Sequence, residues 1–333
     1  MNVEVSMERV KIGIAGVGKL GTFHCNTLSQ MAEAELTGLY DIDAGRARES
    51  AERFHCTAYS TYAEMLGHVD AVGIAVPTTL HHEYTLPALK AGKAVFVEKP
   101  IAATIGEAEE MAALAAEKKA ILQVGHIERF NPAIRALEHL LPDPMFIESH
   151  RMAPFDPRGT DVAVVLDLMI HDIDIILSLV KSGVSRIDAS GVAVVSDEVD
   201  IANARLQFAN GCVANVTASR ISQRKMRKMR IFQRDAYISI DFLQRLSEVF
   251  RIVAADGGEP TTVVLGQIDK GKRKRHIIYE QPKAPEGDAM QAEWQAFLTA
   301  VRNRTRPIVS GDDGLRALQV AEEITGIIAR NTR

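Results

Sequence analysis

Cysteine is scarce in this chain: Cys25, Cys56 and Cys212 are the only three in 333 residues, and no two stand at CxxC spacing. That argues against a disulfide framework and against a cysteine zinc site, and it points to a reducing compartment. Long apolar runs are missing as well. No stretch approaches the roughly 20 residues that a membrane-crossing helix needs, and residues 1–9 carry no apolar signal core. The expected location is cytoplasmic, with no membrane partner. Charge of one sign is also lacking. Lys and Arg number 39 against 43 Asp and Glu, a net of -4, which argues against nucleic acid as a partner. Neither an internal repeat nor a low-complexity segment is present. What is there is 47% hydrophobic content on a chain long enough for two cores.

The first 125 residues alternate short apolar runs with helical patterns. Strands are expected near 10–15, 35–40, 70–76, 94–97 and 120–124, and helices near 19–31, 44–53, 61–67, 80–91 and 104–118. Continuous Val/Ile/Ala strands between helices describe a parallel sheet covered on both faces. After Gly125 the texture changes. A helix is expected near 131–140, opened by Asn131-Pro132, and a second near 160–181 with Gly183 as its C-cap. From 186 to about 280 the pattern is strands. Ala202, Ala204, Leu206 and Phe208 share one face, Asn210-Gly211 turns the chain, and Cys212, Ala214, Val216 and Ala218 line the return strand. The fold class is therefore α/β. Residues 1–125, with the glycine turn Gly16-x-Gly18-x-x-Gly21 directly after the first strand, read as an NAD-binding Rossmann domain, a doubly wound parallel sheet. Residues 126–333 read as an α+β substrate-binding and oligomerisation domain with a large, open, mainly antiparallel sheet. Helices are expected over 289–331, able to pack back on the first domain. The spare sheet face suggests a homodimer or homotetramer.

Gly16-x-Gly18-x-x-Gly21 follows the first strand and opens the first helix. The first glycine suits a tight turn, the second a close approach to a pyrophosphate, and the third close packing of helix on sheet. Asp41 closes the second strand some 20 residues on, where an acid accepts bonds from a ribose and repels a 2′-phosphate. NAD is thus favoured over NADP, with Arg46 and Arg48 leaving dual use open. A glycine turn that merely caps a strand is the rival reading. Lys99 ends the buried run Ala94–Val97 and precedes Pro100, at a strand end where ligands of such folds bind. A surface lysine is the plainer alternative. Farther on, Asp167 and His171 stand at i and i+4 and share a helix face, as do His171 and Asp174 at i+3. A histidine beside carboxylates suits a general base. It equally suits a buried polar network. No second histidine stands at zinc spacing, so no metal is expected.

These residues resemble the Gfo/Idh/MocA oxidoreductases. The resemblance rests on the glycine turn, Pro77-Thr78-Thr79-Leu80-His81-His82-Glu83, Ala91-Gly92-Lys93 through Glu98-Lys99-Pro100, Arg129-Phe130-x-Pro132, Asp167-x-x-x-His171-x-x-Asp174 and Gly311-x-x-Gly314. It implies that Lys99, Asp167 and His171 line the active site. Met169 stands where the family usually has glycine, and Thr78 where it usually has asparagine. Two segments, 125–133 and 166–174, resemble the branch containing UDP-N-acetylglucosamine 3-dehydrogenases.

Residues and resemblance together give the expected site. Cofactor contacts are assigned to Gly16, Gly18, Lys19, Leu20, Gly21, Asp41, Pro77, Thr78, His81, Glu98, Lys99 and His126. Substrate contacts are assigned to Arg129, Asn131, Arg151, Arg158, Asp167, His171 and Arg220. Residues 220–234 hold seven basic side chains and no acid, and Lys272 to Arg275 form a second cluster. Cations of this kind either hold a pyrophosphate or line a solvated strand edge. His24 and His55 read as packing or surface residues. The expected activity is NAD-dependent oxidation of a sugar hydroxyl to a ketone, at the 3-hydroxyl of a UDP-N-acetylhexosamine. The alternatives are a free-polyol dehydrogenase and a non-catalytic NAD-binding regulator.

Overall fold

Strands buried on both faces build the first part of the protein. A computed structural model describes residues 9–140, 143–156, 162–254, 263–270 and 273–331, with backbone alone for 267–270 and 273–274. Contacts divide the chain into two compact units, Met1–Ile127 with Asp288–Leu318, and Glu128–Gly287 with Gln319–Arg333.

In the first unit, β1 (Val10–Ala15) leads to α1 (Lys19–Leu28), β2 (Ala34–Tyr40), α2 (Ala44–Phe54), β3 (Thr57–Ala58), α3 (Tyr62–Leu66) and β4 (Ala71–Ile74). Then come α4 (His81–Lys90), β5 (Ala94–Glu98), α5 (Ile105–Lys118) and β6 (Leu122–Gly125). Among the described residues the six strands pair in the order β3-β2-β1-β4-β5-β6, every pair parallel. That order reverses between β1 and β4, the switch point where doubly wound sheets bind ligands. Local signals agree. Asp43 caps α2 by accepting from the Gly45 and Arg46 amides, and Thr104 with Glu107 forms a complete capping box on α5.

The second unit holds α6 (Pro132–Arg135), β7 (Phe146–Met152), a π-helical turn over Val165–Met169, and α7 (Ile170–Val180). These are followed by β8 (Val184–Val192), β9 (Ile201–Phe208), β10 (Val213–Ser219), β11 (Met226–Gln233), β12 (Ala236–Asp241), β13 (Leu246–Ala254), β14 (Val263–Lys270) and β15 (Arg273–Glu280). The nine strands run β14-β15-β13-β12-β11-β7-β10-β9-β8, antiparallel except for β7 with β10. Ile147, Ser149 and Arg151 face α7 from β7, where Asp172 bonds Ser149 and Arg151. The opposite face carries a row of half-buried rings, Phe146, Phe232, Tyr237, Phe250 and Tyr279, each within 5.0–5.8 Å of the next.

The last elements are α8 (Ala289–Asn303) and α9 (Gly311–Asn331). Trp294, Phe297 and Leu298 of α8 are fully buried in the core of the first unit with Ile12, Ile14, Leu39 and Phe96. Truncating such an aromatic costs about 3–5 kcal/mol. Gly311 and Gly314 let α9 lie close on β6, since a Cβ at either would stand 2.8 Å from Leu122 or 2.6 Å from Val124.

Three expectations need correcting. The helix after Asn131 is one turn long, and the segment before α7 is a π turn rather than continuous α-helix. The C-cap of α7 is Lys181 in the left-handed conformation (φ 51°), not Gly183.

Candidate active site

The glycine turn is built as its spacing demands. Gly16 takes φ +85°, and a Cβ there would stand 2.8 Å from the Ala75 carbonyl. A Cβ at Gly21 would stand 1.9 Å from the Gly16 oxygen, so α1 closes on the turn only with glycine. Around Gly18 nothing lies within 4 Å of where a Cβ would be, and no side chain caps α1. Open backbone beside free helix N–H groups is the cradle a pyrophosphate fits. Lys19 and Leu20 are exposed on the first turn of α1.

Asp41 is only 7% exposed. One carboxylate oxygen accepts from the Val17 amide at 2.8 Å, and the other accepts from the Asp43 amide at 2.9 Å. Arg46, which could have served a 2′-phosphate, instead reaches Asp41 at 3.5 Å and Asp43 at 3.4 Å. These residues fit NAD.

At the end of β5 Lys99 is half-buried, and its bond to Pro100 is cis. Glu98 is buried. Its Oε1 lies 2.8 Å from His24 Nε2 and its Oε2 accepts the Lys99 amide at 3.2 Å. Burial works against its charge, but the His24 hydrogen bond and the nearby Lys99 charge outweigh it and hold the carboxyl below the usual range. His81 is 1% exposed and braces two loops, Nδ1 2.8 Å from the Pro100 carbonyl and Nε2 3.1 Å from that of Val76. His126 is buried just beyond β6, Pro77 is exposed and Thr78 half-buried.

In the second unit Asp167 and His171 are both half-buried, Asp167 within the π turn and His171 in the first turn of α7. The wider π turn changes the plain i, i+4 register expected between them. Asp174 is gripped at both oxygens by Arg129, at 2.7 and 3.2 Å. Arg151, expected to face substrate, is 2% exposed and bonds Glu128 at 2.8 Å and Asp172 at 2.6 and 3.2 Å. Asn131 caps α6 and donates to Glu128. Arg220 is 5% exposed beside Asp200, donating to the Val162 and Val199 carbonyls. Arg158 lies outside the described residues, as do Lys272 and the side chains of Arg273 and Lys274.

Three cations in the middle of the basic stretch meet acids on neighbouring elements. Arg227 pairs with Glu128, Lys228 with Asp241 and Arg230 with Glu148. Sequence reading missed the Glu128–Arg151–Asp172 network. Its only signal was an acid between Ile127 and Phe130, and a second acid directly after His171.

A parallel six-stranded sheet in Rossmann order, with an open glycine cradle and a held acid at the second strand, defines an NAD-binding oxidoreductase. The profile described as "Oxidoreductase family, NAD-binding Rossmann fold" matches residues 10–126, and the Gfo/Idh/MocA C-terminal domain profile matches residues 143–239. The chain belongs to the Gfo/Idh/MocA oxidoreductase family. It is 35% identical to UDP-N-acetylglucosamine 3-dehydrogenase of Acidithiobacillus ferrooxidans, over 96% of this chain and 97% of that one. A solved structure of that enzyme superposes with a TM-score of 0.86 at 34% identity, covering 97% and 99% of the two chains. Myo-inositol 2-dehydrogenase of Thermotoga maritima is 28% identical over 93% of each chain. Scyllo-inositol dehydrogenase of Lactobacillus casei, solved with NAD(H) and scyllo-inositol, shares the fold at 22% identity and a TM-score of 0.77, over 97% and 98% of the chains.

Proposed function

We propose that the protein oxidises the 3-hydroxyl of a UDP-N-acetylhexosamine, such as UDP-N-acetylglucosamine, to a ketone. The observation that carries this reading is the likeness to the Acidithiobacillus enzyme across nearly the whole of both chains. NAD held at the glycine turn supplies the hydride acceptor. From the first unit, Lys99 presents an ammonium that stabilises the developing alkoxide. From the second, His171 takes the hydroxyl proton and Asp167 orients its ring. A general base is worth roughly 10²–10⁴ in rate and an electrostatic donor of this kind roughly 10²–10³.

The test is NADH formation, followed by absorbance, with UDP-N-acetylglucosamine beside N-acetylglucosamine and myo-inositol. The nucleotide sugar is expected to give the highest kcat/KM. Lys99→Ala and His171→Ala should each lower kcat by about 100-fold or more, with NAD affinity within about threefold. Equal turnover of myo-inositol would favour the polyol reading, which the 28% identity to an inositol dehydrogenase keeps alive.

We further propose a cytoplasmic homo-oligomer joined through the aromatic row on the second sheet. Half-buried rings across five strands are an apolar surface that a second copy would cover. Phe232→Arg should convert the assembly to the mass of a single chain in light scattering. A single-chain mass for the unmodified protein would refute the idea.

A further inference from the structure

The first unit contains a buried polar chain that the proposed chemistry does not use. It runs from Trp294 on α8 through His24 on α1 to Glu98 at the end of β5, side by side with Lys99. Trp294 is 0% exposed, His24 1% and Glu98 8%. The Trp294 indole donates to His24 Nδ1 at 2.9 Å, and His24 Nε2 lies 2.8 Å from Glu98 Oε1. The rings are packed as well: the indole stacks on Phe96 at 4.6 Å, and the imidazole meets Phe96 edge-on at 5.3 Å. Gly125 leaves the space that Glu98 fills, since a Cβ there would come within 3.1 Å of the carboxyl.

The proton positions follow from the partners. An indole N–H can only donate, so His24 Nδ1 must accept. The proton of the neutral ring then sits on Nε2 and points at Glu98. A second proton on Nδ1 would face the indole N–H head-on. The arrangement therefore presents one fixed donor to one carboxylate, whose other oxygen holds the Lys99 backbone. The titratable groups on the elements that meet here are Lys19 and Cys25 on α1, Glu98 and Lys99 at the end of β5, and Glu293 and Arg302 on α8, with His81 of α4 near enough to feel the Glu98 charge. Burial pushes the Cys25 thiol up to about 12, so it stays neutral.

We propose that Trp294 and His24 are positioning residues that lock the Glu98 carboxylate in place, and that Glu98 in turn keeps Lys99 oriented and charged. The inference rests on the role given above to the Lys99 ammonium. A fixed anion one residue away favours the protonated amine. Precise placement of that amine matters because a displacement of about 1 Å can cost about 100-fold in rate.

Two substitutions separate positioning from packing. His24→Gln keeps a donor where Nε2 lies, while His24→Asn keeps only an acceptor where Nδ1 lies. Glu98→Gln removes the charge with almost no change of shape. Two readouts are compared, the kcat for NADH formation from UDP-N-acetylglucosamine and the pH midpoint for acetylation of Lys99 by acetic anhydride, followed by peptide mass spectrometry. His24→Asn should lower kcat by about 10- to 100-fold, with the KM for NAD changed less than about threefold. His24→Gln should restore kcat to within about threefold of the unmodified enzyme. Glu98→Gln and His24→Asn should lower the Lys99 midpoint by about one pH unit, while Lys90 and Lys93 keep theirs. An unmoved Lys99 midpoint in Glu98→Gln overturns the proposal. Equal effects of His24→Gln and His24→Asn on both readouts overturn it too, because a ring that only fills space makes no such distinction. The labelling needs no substrate. If the unmodified protein makes no NADH from UDP-N-acetylglucosamine, the substrate reading falls while the Lys99 midpoint still decides this one.

Discussion

Asp41 is held in place by its own backbone neighbours, with Val17 and Asp43 amides on its two oxygens. Its negative charge sits at the edge of the glycine turn, where it would repel a 2′-phosphate. Asp41→Asn should therefore lower the ratio of kcat/KM with NAD to that with NADP by about tenfold or more, measured with each cofactor at fixed substrate. An unchanged ratio would remove Asp41 from cofactor choice. The positions of Asp41 and Lys99 were legible in the sequence because each stands at the carboxyl end of a buried parallel strand. Arg151 was not. Its acids lie 21 and 23 residues away, and which strand face meets α7 is decided by sheet packing rather than by any local pattern. A buried cation and an exposed one look alike in a sequence.

At the scale of elements, the turn between β1 and α1 has little freedom. An alanine methyl at position 21 would overlap the Gly16 carbonyl at 1.9 Å. Gly21→Ala should lower stability by about 1–3 kcal/mol in urea unfolding and weaken NAD binding at the same time. Stability and affinity unchanged together would show that α1 has room to move. The alternating strands and helices of the first sheet were readable because burial on both faces leaves continuous apolar runs. The hairpin at Asn210-Gly211 was readable too, Gly211 taking φ +87°. The π turn before α7 was not. Val164 to Ile170 carries the same residue types an ordinary helix would, and the wider turn comes from how the backbone packs. For the same reason Gly183 looked like the natural cap, although Lys181 adopts the left-handed conformation.

For the whole molecule, acid is the vulnerable direction. Burial opposes charge at Glu98, Glu128 and Asp200, but in each the partners win and the carboxyl sits below its ordinary range. The partners are His24 and Lys99 for the first, Arg151 and Arg227 for the second, and loop amides with Ser196 for the third. A carboxyl depressed in the fold contributes stability above its unfolded value and loses it as pH falls. His81 is pushed down by burial, so the fold favours its neutral ring and that contribution also shrinks on acidification. Both act in one direction. The urea midpoint should be level between about pH 7 and pH 8, begin to fall near pH 6.5 and drop steeply below about pH 4. The single tryptophan, Trp294, reports the first unit by fluorescence, and circular dichroism reports the whole chain. A midpoint rising toward acid would contradict the assignment.

The placement of α8 has a consequence for the order in which the molecule is made. Trp294, Phe297 and Leu298 complete the core beneath β1 and β5, yet a ribosome reaches them only after finishing all of residues 128–287. The leading sheet must wait, with Phe96 uncovered, until nearly the whole polypeptide has emerged. A fragment cut after Gly125 would inherit the same gap permanently.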